Sequence, residues 1–119
     1  MQEQTYVRYF TYTPAAVGTT ESGIIKLAIP AGVCVQGVQI KSVVEGDTDA
    51  VITVGDSGSA TRYINKTDVG AAGTITDGSV NFHSYSSADS IKCGYTKGGT
   101  PTTAPIVKVR VAFTRAFPG

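Results

Sequence analysis

The sequence predicts an all-β fold: a single-domain antiparallel β-sandwich, jelly-roll-like, with little or no helix. Three observations carry this expectation. In the last strand-like run, apolar Val107, Val109, Val111 and Phe113 alternate with Lys108, Arg110 and Thr114, the period of a half-buried strand. No window of a dozen residues shows the 3.6-residue apolar period of a helix. Short strand-like runs are separated throughout by Gly, Pro, Asp and Ser, the residues that close turns.

Length and composition bound the rest. At 119 residues the chain closes one core, so residues 1–119 are expected to form one domain. Hydrophobic residues make up 41% and charged residues 16%, which excludes wholesale disorder. The formal net charge is +1, and Lys and Arg are scattered singly rather than clustered as a phosphate-binding surface needs, so nucleic acid is not expected as a partner. No apolar run approaches the roughly 20 residues of a membrane span, and the first residues, Met1-Gln2-Glu3-Gln4, have neither the basic nor the apolar region of a signal peptide. The expectation is a chain made in the cytoplasm, with no membrane partner.

Taken in order, Thr5–Thr13 is the first strand, rich in Tyr, Val, Thr and Phe and stopped by Pro14. Gly23–Ile29 alternates, with Ile25, Leu27 and Ile29 on one side, and Pro30-Ala31-Gly32 ends it. In Val33–Val44, Val33 and Val35 have one parity and Val38 and Ile40 the other. A strand that buries both pairs must absorb one residue between them, and Gly37 is the place for a bulge or bend. Glu45-Gly46-Asp47 is a polar turn, Ala50–Val54 a short strand and Gly55-Asp56-Ser57-Gly58-Ser59 a loop. Residues Thr61–Asp68 leave room for a turn of helix, and Gly70 to Gly73 read as loop. Ser79–Tyr85 and Ser90–Thr96 are two further strands, and Lys97 to Pro101 is a flexible turn before the last one.

Each motif with chemical potential has a plainer reading. Gly55 to Ser59 approaches the pattern around a serine-protease nucleophile, but such a Ser57 needs a His oriented by a buried Asp. The sole histidine, His83, follows Ser57 in the chain, whereas those proteases place it before, and they build their site between two barrels. No catalytic residue is therefore assigned, and the chain is not expected to be an enzyme. His83 lacks neighbouring ligands beyond Asp77 and Asp89 and is read as structural or superficial. Glu45, Asp47, Asp49 and Asp56 flank one strand, but no calcium-loop pattern is present and Asp commonly caps turns, so no metal or other cofactor is expected. Cys34 and Cys93 lie in strand-like runs and read as small buried hydrophobes, although sequence cannot decide whether they pair. Residues 1–13, with Tyr6, Arg8, Phe10 and Tyr12 on one side and Val7 and Tyr9 on the other, read either as an internal strand or as an interface strand or arm.

Several stretches in order carry a resemblance. Leu27-Ala28-Ile29-Pro30-Ala31-Gly32-Val33 resembles the strand, Pro-Ala-Gly, strand opening of a family of small phage virion proteins of the capsid decoration, or cement, type. Val51 to Gly58 followed by Arg62-Tyr63-Ile64, then Tyr85 to Ile91 and Tyr95 to Gly99, are similar to later stretches of that family. The resemblance spans roughly residues 22 to 115. It implies a structural virion protein that binds and stabilises the capsid shell, with the major capsid protein as partner, a homo-oligomeric state (trimer or dimer) and a place on the capsid surface. In such a role the expected interface residues are Tyr6, Arg8, Phe10 and Tyr12. The rival expectation is a tail, fibre or receptor-binding module that offers Tyr63 or Tyr95 to carbohydrate; the absence of Trp counts against it.

Overall fold

The computed structural model describes residues 3–79 and 82–116. Among the described residues nine strands form in chain order: β1 Glu3–Tyr12, β2 Glu21–Ile29, β3 Val33–Val44, β4 Val51–Gly55, β5 Ile64–Thr67, β6 Ile75–Asp77, β7 His83–Ser84, β8 Asp89–Thr96 and β9 Ile106–Ala116. They build two antiparallel sheets. One runs β1-β9-β3-β6, with β7 also paired to β3, and the other runs β2-β8-β4-β5. First strand pairs with last, second with second-last, third with β6 and β7, and fourth with fifth. This is one long hairpin rolled on itself, the jelly-roll arrangement that the sequence predicts.

The core lies between the sheets. Val33, Val35, Val38, Ile40, Val107, Val109 and Val111 face it from the first sheet, and Ile52, Val54, Ile91, Cys93 and Tyr95 from the second. At about 25 cal/mol per Å² of apolar surface removed from water, burial of this set is the main stabilising term. In β3 the pairing with β9 passes from Val35↔Phe113 to Gly37↔Ala112, so one extra residue is absorbed there. The bulge expected from the change of parity is present, and Val38 and Ile40 are buried because of it.

Between β5 and β7 the structure departs from the sequence expectation. Thr61–Asp68 holds no helical turn: Ile64–Thr67 is a strand, and its pairing with β4 through Val51↔Thr67 and Val54↔Ile64 overrides the weak local preference. The strand expected over Ser79–Tyr85 shrinks to His83–Ser84, since Phe82 takes a left-handed φ of 61° that a strand cannot hold; residues 80 and 81 lie outside the described residues. A short strand, β6, is present where none was expected, held against Gln39–Lys41.

Two tyrosines and one turn tie the loops to this frame. The Tyr12 hydroxyl donates to Glu21 Oε1 at 2.7 Å, and the Tyr95 hydroxyl to the Val17 carbonyl at 2.6 Å, so both anchor the crossing from β1 to β2. Burial, reinforced by the bond to the Glu21 carboxylate, pushes the Tyr12 phenol far above its ordinary pKa. In the turn after β3, Gly46 has φ +70° and sits so close to Pro105 that a Cβ there would overlap its backbone. Gly46→Ala is therefore expected to cost about 2 kcal/mol or more, from left-handed strain plus displacement of Pro105, read as a lower urea midpoint with an unchanged slope.

Candidate interaction surface

The register of β1 on β9 decides which way each β1 side chain points, because directly opposed residues share a face. Tyr6 opposes Phe113, Arg8 opposes Val111, Phe10 opposes Val109 and Tyr12 opposes Val107. The four expected interface residues thus share one side, and it is the side turned toward the second sheet. Tyr12 is fully buried, Phe10 is half-buried against the core with Lys26 Nζ 5.9 Å from its ring centre, and Tyr6 stacks on Phe113 at 5.4 Å. Arg8 is exposed. Tyr6 and Arg8, with Phe113 and Arg115 of the neighbouring β9, border a groove of about 270 Å³ that Leu27 and Pro30 line from the end of β2.

The outward face of the same sheet is a surface that reading along the chain does not reveal. One row crosses the strands as Thr11, Lys108, Lys41 and Ile75, and the next as Tyr9, Arg110, Gln39 and Asp77. Lys41 and Lys108 stand directly opposite each other, an unfavourable like-charge pair. Lys108 is drawn over the Tyr9 ring at 5.2 Å, and Gln39 Nε2 donates to Asp77 Oδ1 at 2.6 Å. Tyr9 is 58% and Ile75 61% exposed, and a shallow groove of about 240 Å³ runs between them. Three cations from two strands far apart in sequence meet here. The available signal was the alternation of Lys108 and Arg110 in β9, but without the register nothing placed Lys41 beside them.

The Gly55–Ser59 loop is held by hydrogen bonds at Ser57 and Asp56. Ser57 Oγ donates to Asp89 Oδ1 at 2.6 Å and accepts from Lys92 Nζ at 3.1 Å, which fastens the loop to β8. Among the described residues, the neighbouring Asp56 is the buried charge. Its Oδ1 accepts from the backbone N–H of Gly58 and Ser59 at 3.0 and 2.9 Å, and its Oδ2 from Arg62 Nε at 2.6 Å and the Tyr85 hydroxyl at 2.7 Å. The Tyr85 and Tyr63 hydroxyls lie 2.5 Å apart, extending the network into the core. His83 packs edge-on to Tyr85 at 4.8 Å, with Nε2 3.9 Å from Asp56 Oδ2. The histidine thus joins the Asp56 network, whereas Ser57 is engaged by Asp89 and Lys92.

The remaining carboxylates act separately. Asp47 accepts from Thr102 and Thr103, and Asp49 accepts from the Gly99 N–H, so both pin the loop before β9. Among the described residues no three His, Cys, Asp or Glu side chains group to hold a metal. Both cysteines are free and sit in different sheets; burial raises the Cys93 thiol pKa to about 12.

Burial is the largest single influence on Asp56 and favours its neutral form. Hydrogen bonds from Tyr85, Arg62 and Ser59, with the Arg62 charge, outweigh it, and the pKa falls below the ordinary carboxylate value. The stabilisation is therefore fully present above the unfolded value of about 3.9 and is lost as pH falls through the lower folded value. Asp56→Ala is expected to cost about 3 kcal/mol at neutral pH, since it strands Arg62 and two N–H groups. Thermal melts from pH 7 to pH 2 should show the gap between wild type and variant narrowing below about pH 4.

No protein-family model matches the chain, and no curated protein matches it significantly. Solved structures do share its fold. A chain in the acidic stable capsid structure of Helicobacter pylori bacteriophage KHP30 aligns with a TM-score of 0.71, covering 98% of this chain and 98% of that one at 11% identity. A chain in the capsid asymmetric unit of cyanophage Pam1 aligns at 0.64, covering 96% and 85% at 18% identity. A chain in the capsid of Ralstonia phage GP4 aligns at 0.51, covering 92% of each at 11% identity. At such identities the likeness is one of fold: over nearly its whole length, this chain has the architecture of chains found in three phage capsids.

Proposed function

We propose that the chain is a structural virion protein that binds an assembled phage shell and stabilises it as a decoration, or cement, protein, with no catalysis of its own. The observation that carries this reading is the near end-to-end match to a chain in the KHP30 capsid structure, in which each chain covers 98% of the other. A partner of equal size in a shell suits a small accessory module better than one region of a large shell-forming subunit. The role needs no chemical site. A protein that binds the assembled state and not the free subunits stabilises assembly by mass action, and contacts repeated by symmetry add by avidity.

On this reading the major capsid protein is the partner, and the outer face of the β1-β9-β3-β6 sheet meets it. Lys41, Lys108 and Arg110 want an acidic surface, and Tyr9 and Ile75 supply apolar area between them. Tyr6, Arg8 and Phe10 serve contact with a neighbouring subunit along β1, and Tyr12 holds that strand in place from within the core. The carbohydrate-binding alternative loses support, because Tyr63 and Tyr95 are each only 1% exposed and cannot offer their rings to a sugar.

The test is addition of the purified chain to empty heads of the source phage. Binding that saturates at a fixed ratio to the capsid protein, and raises the temperature at which heads rupture, is the expected result. The Lys41→Glu/Lys108→Glu variant should reach less than about a tenth of wild-type occupancy at low salt, while added salt weakens the wild type. Heads that ignore the wild-type chain would overturn the proposal.

A further inference from the structure

Every open sheet is bounded by edge strands, whose outward N–H and C=O groups are a template for another chain unless something blunts them. Here β5, β6 and β7 are protected by being four, three and two residues long. Strand β2 is long, but its pairing with β8 breaks register twice, after Glu21 and after Ile25. Strand β1 differs from all of these. It runs ten residues in unbroken register with β9, with no proline, no lysine and no bulge, and is rich in Tyr, Val, Thr and Phe. Its charged residues are Glu3 at its first position and Arg8, which lies on the side turned toward the second sheet.

The sequence around Tyr9, toward the C-terminal end of β1 and one residue beyond it, also has a near-symmetry. Around Tyr9, residues 5–13 read Thr-Tyr-Val-Arg-Tyr-Phe-Thr-Tyr-Thr. Thr5 mirrors Thr13, Tyr6 mirrors Tyr12, and Val7 mirrors Thr11, another β-branched residue. Only Arg8 and Phe10 differ. We propose that β1 pairs antiparallel with β1 of a second copy, about a two-fold axis through Tyr9, so that the two β1-β9-β3-β6 sheets become one continuous sheet. Such an axis is perpendicular to the sheet, so the same face of both copies points the same way. Tyr faces Tyr and β-branched residues face each other, pairs that favour sheet formation. Each Arg8 falls opposite Phe10 of the other copy, where its guanidinium meets an aromatic ring instead of a like charge. The outer faces with Lys41, Lys108 and Arg110 then lie side by side on one surface.

This inference concerns the chain alone and does not rest on binding to a shell. Light scattering on the purified protein should give about twice 12.3 kDa at micromolar concentration. The register is read by single cysteines on the outward side of β1, in a Cys34→Ser background that leaves only the buried Cys93. Directly opposed Cα atoms lie about 4.5–5.5 Å apart, within disulfide reach. Tyr9→Cys should therefore oxidise to a covalent dimer. Val7→Cys should not, because two Val7 positions would be roughly 13 Å apart along the strands. The Val7→Cys/Thr11→Cys double variant should crosslink again. A monomeric wild type, Val7→Cys crosslinking as fast as Tyr9→Cys, or a Tyr9→Cys protein that stays reduced would each overturn the proposal.

Discussion

The structure depends on where β9 lies. It occupies the middle of one sheet, with β1 on one side and β3 on the other, so the last strand of the chain completes pairings for the first and the third. Val107, Val109 and Val111 then become the centre of the core, and every position opposed to them on β1 and β3 is assigned a face. A sheet closed in this way rests on contacts far apart in sequence, whose loop-closure cost must be met before they contribute. The Tyr95 anchor and the Asp47 and Asp49 bonds to the loop before β9 serve that closure, since each joins segments remote along the chain.

The polar interior has the same function. A buried carboxylate is costly unless its lone pairs are met, and Asp56 meets them with two backbone N–H groups, an arginine and a tyrosine. The result draws the loop after β4, the start of β5 and the segment around β7 to one point, in the region where the sheets are shortest and apolar burial alone constrains the chain least. A cluster containing Asp, Arg, His and two Tyr resembles an active site in composition. Its geometry is that of a cross-brace, with every acceptor of Asp56 occupied by a group of the chain itself.

With the interior engaged in holding the fold, interaction falls to the exterior. The outward face of the first sheet gathers three cations and two exposed apolar side chains on a rigid surface, and β1 presents a long regular edge beside it. Rigid strands hold such groups at fixed spacing, so little ordering entropy is lost when a partner meets them.

The sequence by itself determined the class of fold and most of its strands. Alternation in Val107–Phe113 marks β9, the parity change across Val33–Ile40 marks the bulge near Gly37, and Pro30-Ala31-Gly32 marks the end of β2, because these signals are local and arise from side-chain period and backbone sterics. It also placed Tyr6, Arg8, Phe10 and Tyr12 on one side of their strand. Only the tertiary structure decided that this side is the inward one, since alternation divides a strand into two faces without saying which is covered. The strand at Ile64–Thr67 and the short β6 were likewise invisible, because their stability comes from pairing with β4 and β3 rather than from their own residues. Lys41 became the neighbour of Lys108, and Asp56 the partner of Tyr85, for the same reason: register between strands distant in the chain is set by the whole core at once, and no local pattern encodes it.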